Sequence, residues 1–295
     1  MHRPTISRRL FVVLNTLLLT AITLLGIIPF IHLLSISLSS NTAAMAGEVK
    51  LWPVGLNLDA YRYLGEKVEF FRSLWVAVER VVLGTVVNMF LVFITAFPLS
   101  KSNNQFKYRT PYVWFFAITM FFGGGLIPTY IIVKNTGLID SIWALILPGA
   151  LNVWNMVLML NFFRTIPKEL DEAATIDGAG HWRVLWSIYL PVSLPSIATI
   201  GLFTIVGHWN AWFDGILYLN SPEKYPLQTY LSTLIMSINS QLTSISIEQI
   251  KAMENLSEKT LRTAQIFMGA LPIMAVYPFL QKYFVKGMTV GSVKE

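Results

Sequence analysis

Residues 171–195 read DEAATIDGAGHWRVLWSIYLPVSLP and lie between two long apolar runs of the chain. The acidic residues Glu169 and Asp171 favour the start of a helix, because the N-terminal end of a helix carries a partial positive charge. Gly178 is a common residue just after the C-terminal end of a helix. The pattern therefore predicts a short polar helix over about residues 168–177, flanked on both sides by apolar segments.

The composition is that of a membrane protein. Of 295 residues, 54% are hydrophobic and 13% are charged, and the mean hydropathy is +0.57. Soluble domains have about 25% charged residues. The chain contains no cysteine, which excludes disulfides and thiolate metal sites. Its net charge of +6 comes from basic residues that flank apolar runs, as membrane anchors do, so we expect no binding to nucleic acid.

Windows of about 20 mainly apolar residues predict an all-α membrane protein with six transmembrane helices. The predicted spans are residues 10–38, 71–99, 110–133, 142–163, 192–219 and 264–284. Arg8 and Arg9 before the first run resemble the start of a signal peptide, but such a signal has an apolar core of only about 7–15 residues. We therefore expect an uncleaved first span. Nothing marks a separate soluble domain, so residues 1–295 are predicted to form one transmembrane domain.

Lysine and arginine in the short connections predict the orientation in the membrane, because cytoplasmic loops are enriched in them. They occur in the N-terminal arm, in the connection after the second span, in the connection after the fourth span and in the tail. Both termini are therefore expected in the cytoplasm, together with the polar segment 165–190. Two longer segments, 39–70 and 220–263, are expected on the outer side.

One motif in the polar segment resembles a known family. Glu172-Ala173-Ala174 is followed after three residues by Gly178 and, after nine more, by Ile188-Tyr189-Leu190-Pro191. This spacing is similar to the EAA loop of ABC-importer permeases. The "DGA" completed by Asp177 and Ala179 is most similar to the carbohydrate-uptake, maltose-type branch.

Other stretches resemble the subgroup of that branch that imports complex saccharides and oligosaccharides. They are residues 123–150, residues 208–219 and the tail GMTVGSVKE. The sequence departs from the family pattern at Glu79-Arg80, where apolar residues are expected, and at Glu295, where glycine is usual. The departure at Glu295 puts a contact between the tail and an ATPase in doubt.

The resemblance implies a type I ABC importer permease fold with a cytoplasmic EAA coupling helix, in a bacterial cytoplasmic membrane. The implied partners are membrane lipid, a second homologous permease subunit, two cytosolic ATPase subunits, and an extracytoplasmic solute-binding protein that delivers a saccharide. In such importers the EAA helix docks on an ATPase and transmits its motion to the spans. The residues expected at this contact are Glu169, Glu172, Ala173, Ala174, Asp177 and Gly178.

Polar and aromatic residues inside the predicted spans are candidates for a saccharide path. Aromatic faces can stack on sugar rings, and amides can hydrogen-bond sugar hydroxyls. The same residues also suit an aromatic belt or hydrogen bonds between helices. The candidates are Trp209, Asn210, Trp212, Asn152, Asn155, Asn88 and Arg80.

Arg80 has two alternative roles. It can be the counter-charge for an anionic substrate, such as a uronate oligosaccharide, or it can form a salt bridge to another helix. Glu79 precedes it directly, but neighbouring helical side chains point about 100° apart, so the two are not expected to pair.

No enzymatic motif occurs in the sequence. A glycine-rich phosphate loop is missing, and the four histidines show no metal-ligand spacing. We therefore expect a transport subunit without a cofactor of its own, with ATP and magnesium bound on a separate ATPase chain. Two alternatives remain open: an ABC permease for a solute other than a sugar, and an ion-coupled secondary carrier.

Overall fold

The computed structural model describes residues 6–241 and 258–292, and every regular element in these two ranges is helical. Residues 242–257 of the predicted outer segment 220–263 lie outside the described residues, as does Glu295. The α-helices are α1 (Ile6–Ser37), α2 (Asn41–Ala46), α3 (Asp59–Glu66), α4 (Val68–Ser100), α5 (Arg109–Phe121), α6 (Leu126–Asn135), α7 (Ile142–Ile146), α8 (Val153–Phe163), α9 (Lys168–Ile176), α10 (His181–Val184), α11 (Leu190–Val192), α12 (Leu194–Asn210), α13 (Phe213–Tyr218), α14 (Leu227–Gln241) and α15 (Glu258–Ser292).

Two helices of the described ranges, α1 and α4, are each long and apolar enough to cross a membrane. Three pairs of shorter helices also reach that length and apolarity, but each pair is bent by more than 40° at a short break. The described residues thus contain two such helices, or up to five spans if each bent pair counts as one. The sixth predicted span, 264–284, lies within α15, which is not among these helices.

Two of the breaks divide the predicted spans 110–133 and 142–163, and the third lies at the start of the predicted span 192–219. Helices α5 and α6 meet at 114° across a run of three glycines that ends at Gly125, whose φ of 81° suits glycine. The second pair is bent by 50° after a short 3₁₀ turn containing Pro148. The third is bent by 85° just before Pro195, which lies in the first turn of α12. Two of the three breaks therefore lie at or beside proline, and the glycine run makes the other.

The chain divides into two compact units. One unit comprises residues 1–70 and 233–271. In it, the Ser37 hydroxyl and the Tyr61 hydroxyl are 2.7 Å apart, and the Lys259 ammonium donates to the Ala44 carbonyl at 2.9 Å. The apolar side chains of α1 from Leu10 to Ile31 are exposed, which suits a helix that faces lipid.

The other unit comprises residues 71–232 and 272–295 and contains the main hydrophobic core. Side chains from α4, α8, α9 and α12 meet there, with Phe163 and Met159 almost fully buried. The rings of Phe97, Phe163 and Tyr189 pack edge to face with centroids 4.9 to 6.5 Å apart. Helix α9 packs on this core, and so do the segments of α4, α8 and α12 that carry polar side chains. The core therefore positions two features, the exposed face of α9 and a polar cavity.

Candidate functional site

Helix α9 forms where the acidic and glycine signals predict it. It begins at Lys168, as expected, and ends at Ile176, one residue before the expected end. Gly178 adopts the left-handed conformation with φ of 74°, and its N–H donates to the Thr175 carbonyl. The Ala179 N–H donates to the Ala174 carbonyl, so the last turn is satisfied by local backbone bonds.

Five of the six residues predicted to contact an ATPase are exposed, and one is not. The exposed ones are Glu169, Glu172, Ala173, Asp177 and Gly178. Ala174 is only 7% exposed and packs into the hydrophobic core, so it holds α9 on the rest of the unit instead of facing a partner.

The two most exposed large apolar side chains of α9 and α10 were not among the predicted contacts. Ile176 is 86% exposed at the end of α9, and Trp182 is 62% exposed in α10. Large apolar groups exposed beside a polar helix are typical of a surface that another protein covers. The signal in the sequence is their position within five residues of Asp177 and Gly178, but periodicity alone does not show that they point away from the core.

A basic side chain ties α9 to the end of α4. Lys101 Nζ donates to Asp171 Oδ1 at 2.7 Å and to the Tyr189 hydroxyl at 3.0 Å. Asp171 lies in the first turn of α9, and Tyr189 lies in the helical stretch that returns toward α12. From the sequence, Lys101 counted only as one of the basic residues that predict the orientation in the membrane. Its two partners could not be predicted, because they lie 70 and 88 residues away along the chain.

A cavity of about 670 Å³ opens among helices α4, α8, α12 and α13. Four of the seven predicted path residues line it: Arg80, Asn88, Asn152 and Asn155. Its other walls include Trp154, Thr204, His208, Asp214 and Tyr218. Polar residues that belong to three different predicted spans therefore lie together at the wall of one cavity.

The other three path candidates do not line this cavity. Trp209 is buried, with 5% of its surface exposed, whereas Asn210 and Trp212 are exposed at the end of α12. The Trp212 ring packs edge to face on the ring of Phe213 at 5.7 Å. These three candidates are thus not part of the cavity wall, although His208 and Asp214 of the same predicted span are.

Two of the cavity amides are held by a buried hydroxyl. The Asn155 side-chain amide donates to Thr204 Oγ1 at 3.2 Å, and Thr204 Oγ1 lies 3.3 Å from the amide oxygen of Asn88. All three side chains are buried. They join α4, α8 and α12, which is the interhelical role that was one of the two alternatives for these asparagines.

Arg80 is paired with a carboxylate of the same unit. Its Nη1 donates to Asp214 Oδ1 at 3.1 Å and to the Ala211 carbonyl at 3.2 Å, and its Nη2 donates to Asp214 Oδ2. The Arg80 side chain is 2% exposed, and its Nε is buried without a hydrogen-bond partner. The geometry favours the salt bridge between helices over a free counter-charge. Glu79 is exposed and points elsewhere.

A comparison with known proteins identifies the family. Residues 70–290 match the family described as "Binding-protein-dependent transport system inner membrane component". The chain belongs to this family. It is therefore an inner membrane component of a binding-protein-dependent ABC importer, a transport component and not itself a catalytic enzyme. The resemblance read from residues 172–191 is confirmed.

Similar permeases and one solved structure cover nearly the whole chain. Protein LplC of Bacillus subtilis (strain 168) is 41% identical over 100% of this chain and 98% of its own length. The "Polygalacturonan/rhamnogalacturonan transport system permease protein YtcP" of the same organism is 39% identical over 98% of this chain and 99% of its own. A crystal structure of "a bacterial ABC transporter involved in the import of the acidic polysaccharide alginate" contains a permease chain with a TM-score of 0.85 and 32% identity. That similarity covers 96% of this chain and 100% of the other.

Proposed function

We propose that this permease is one transmembrane half of an ATP-driven ABC importer that translocates an oligosaccharide, and that the saccharide is acidic. The observation that carries the proposal is helix α9, whose acidic face is exposed while Ala174 anchors it on the core. Such a helix can transmit the movement of another subunit to the spans. The similarity to permeases of polygalacturonan and alginate transporters supports the substrate class.

The complete importer contains further subunits. Two cytosolic ATPase subunits bind ATP and magnesium, a second homologous permease completes the path, and an extracytoplasmic binding protein delivers the saccharide. The described helices provide up to five candidate spans, and we infer that α15 is the sixth and that both termini lie in the cytoplasm, which would put α9 on the side of the ATPases. Lys101, which contacts α9, and Lys107 and Arg109 in the same connection after α4 support this orientation.

The cavity provides polar contacts for the sugar. Its volume of about 670 Å³ lies within the range of about 300–1,000 Å³ that small-molecule sites occupy. Asn152 and the exposed ring of Trp154 offer a hydroxyl partner and a stacking face at its wall. The Arg80 charge is compensated by Asp214, so selection for acidic saccharides rests mainly on the binding protein.

Transport by the reconstituted importer tests this function. The tagged chain is purified with its ATPase, partner permease and binding protein, placed in proteoliposomes, and supplied with labelled uronate or neutral oligosaccharides. Uptake of the uronate that requires ATP and the binding protein is expected. A chain that purifies without an ATPase and transports on an ion gradient alone would be a secondary carrier. Uptake limited to a solute other than a saccharide would overturn the substrate class.

Binding by the delivery protein gives an independent test of the substrate. Ligand-induced thermal shifts of the cognate binding protein are measured against a panel of oligosaccharides that includes uronates. We expect the largest shift with an acidic member. A binding protein that no saccharide stabilises contradicts the substrate class while leaving the transporter class standing.

Substitutions on the exposed face of α9 test the coupling role. Glu172→Lys combined with Gly178→Leu reverses a charge and places a bulky side chain at a residue with φ of 74°. We expect loss of both transport and binding-protein-stimulated ATP hydrolysis, measured in proteoliposomes. Glu223→Lys, a charge reversal at another exposed residue, is the matched control. Normal transport and stimulation in the double variant would contradict the role of α9.

A further inference from the structure

We propose that Lys101 is a positioning residue that holds both ends of the coupling segment (residues 165–190) on the cytoplasmic end of α4, so that the segment and α4 move as one body. This inference rests on the proposed role of α9 as the contact with an ATPase. It adds a residue outside the EAA motif to the coupling machinery. The evidence is the set of contacts that the Lys101 ammonium makes.

The first contact is an ion pair at the start of the segment. Lys101 Nζ lies 2.7 Å from Asp171 Oδ1, and the two side chains are only 11% and 15% exposed. The second oxygen, Oδ2, accepts from the Gln105 side-chain amide at 3.4 Å. Both oxygens of the carboxylate are therefore engaged by the turn that follows α4.

The second contact is at the other end of the segment. Lys101 Nζ donates to the Tyr189 hydroxyl at 3.0 Å and lies 4.3 Å from the centroid of the Tyr189 ring. It lies at the same distance from the ring of Phe97, which belongs to α4. The centroids of these two rings are 4.9 Å apart and the rings pack edge to face. The ammonium group therefore lies against two aromatic rings that also contact each other.

Burial makes these contacts difficult to separate. An ion pair at the surface contributes little, but a pair removed from water leaves an uncompensated charge when one partner is taken away. The aliphatic part of the lysine side chain also packs on the same aromatic surface. A displacement of the whole coupling segment relative to α4 would break the ion pair, the hydroxyl bond and the contact with the Tyr189 ring together, whereas the contact with Phe97 lies within the end of α4.

The two partners of Lys101 lie at the two ends of the EAA motif. Asp171 directly precedes Glu172 of the EAA motif, and Tyr189 lies within the Ile188–Pro191 end of the same motif. A force applied to the exposed face of α9 is therefore transmitted by two routes. It reaches α4 through the contacts of the Lys101 ammonium group, and it reaches α12 through the covalent chain. Without Lys101 the segment would still fold on Ala174 and the core, but it could shift against α4 during the cycle.

Neutral variants of the pair test the inference in the reconstituted importer. Lys101→Met keeps the length of the stem and removes the charge, and Asp171→Asn keeps the shape of the carboxylate. We expect each to purify with the ATPase in normal amount while the saccharide transported per ATP hydrolysed falls about tenfold. Lys107→Met, an exposed lysine of the same turn, is the matched control and keeps the normal ratio.

A cross-link between positions 101 and 171 tests whether restoring the connection restores transport. The chain contains no cysteine, so Lys101→Cys with Asp171→Cys can be joined selectively by a short bifunctional thiosulfonate once the thiols of the other subunits are blocked. We expect poor transport per ATP before the cross-link, recovery after it, and loss again on reduction. Recovery shows that the two groups stay together through the cycle, which a merely structural contact does not require.

The possible results separate this inference from the proposed function. A normal transport-to-ATP ratio in both Lys101→Met and Asp171→Asn, or a cross-link that blocks transport, overturns the role of Lys101. A wild-type chain that recruits no ATPase overturns the importer itself. Should Lys101→Met fail to assemble, Tyr189→Phe removes only the hydroxyl bond, and a normal ratio there together with a normal ratio in Asp171→Asn also overturns the proposal.

Discussion

The imidazole of His208 lies where a side chain on residue 84 would be. A Cβ built on Gly84 would come within 2.5 Å of His208 Nε2 and 2.6 Å of its Cε1. Gly84 belongs to α4 and His208 to α12, so the absence of a side chain allows the two helices to approach at the wall of the cavity. Close approach of membrane helices commonly depends on small residues.

Gly84→Ala should therefore destabilise the unit and displace the His208 ring. Overpacking of a tight contact costs about 1–3 kcal/mol. We expect a lower midpoint of thermal unfolding in detergent, and a recovery in the double variant Gly84→Ala, His208→Ala. Gly201→Ala is the control, because no atom lies within 4 Å of a Cβ at that position of α12. Equal midpoints for Gly84→Ala and Gly201→Ala would contradict the contact.

The Arg80 and Asp214 pair predicts an asymmetric response. Asp214→Asn leaves a charge on a side chain that is 2% exposed, whereas Arg80→Met leaves it on one that is 28% exposed. Loss of one partner of a buried pair costs about 3–5 kcal/mol, and we expect the larger loss of thermal stability in Asp214→Asn. The double variant Arg80→Met, Asp214→Leu should recover much of the loss.

The same double variant distinguishes the two roles of Arg80. As a salt bridge, the pair can be replaced by apolar groups with little effect on uptake of either acidic or neutral oligosaccharides. As a counter-charge for the substrate, its replacement would abolish uptake of the acidic ones selectively. We expect the first result, measured by uptake of labelled oligosaccharides into proteoliposomes.

Thr204→Val tests the buried hydrogen bonds at the cavity wall. The change removes one hydroxyl and leaves the amide groups of Asn88 and Asn155 without their common partner. Unpaired buried polar groups cost about 1–3 kcal/mol, so the unfolding midpoint should fall. Thr199→Val in the same helix is the control, because its hydroxyl donates only to the Pro195 carbonyl one turn earlier. A fall of the same size in both variants would show that Thr204 acts only within its own helix.

Asp140 makes a charged contact between the loop after α6 and the loop after α13. Its carboxylate accepts from Lys224 Nζ at 2.6 Å, from the Ser221 hydroxyl at 2.8 Å and from the Asn220 and Ser221 N–H groups at 3.0 Å. These donors, Lys224 first, hold the pKa of the Asp140 carboxyl well below its usual range. Asp140 adopts a φ of 61°, a conformation that asparagine also tolerates.

This lowered pKa predicts how stability changes with pH. A carboxyl whose pKa is lower in the folded state stabilises it above the unfolded pKa of about 3.9, and the contribution is lost as pH falls toward the folded value. The unfolding midpoints of the wild type and Asp140→Asn should thus differ by a constant amount above about pH 5 and converge at lower pH. Glu223→Gln, an exposed acid of the same region, gives the background. A difference that grows as pH falls would contradict the prediction.

The features that sequence predicts well here are local ones. Helix α9 was expected over residues 168–177 and forms over Lys168–Ile176, because its acidic first turn and Gly178 act within a few residues of each other. The helices α1 and α4 follow directly from long apolar runs. The EAA spacing could be recognised for the same reason, since it lies within 20 residues of chain.

The features that were missed depend on distant parts of the chain. The partner of Arg80 lies 134 residues away, and the partners of Lys101 lie in two other helices. A hydropathy window averages over the glycine run before Gly125, so it reports one span where the backbone turns by 114°. The burial of Ala174 likewise depends on the packing of α9, which a helical spacing pattern does not orient.

The distance along the chain between Arg80 and Asp214 also matters for biosynthesis. Synthesis proceeds from the N-terminus, so Arg80 emerges 134 residues before the carboxylate that will neutralise it. At about 5–20 residues per second, that interval is roughly 10 s. During this interval α4 must enter the bilayer with an unpaired charge, at a cost of about 2.5–3.5 kcal/mol that its apolar neighbours offset. The arrival of the fifth apolar run then completes the pair and fixes a helix that was inserted long before.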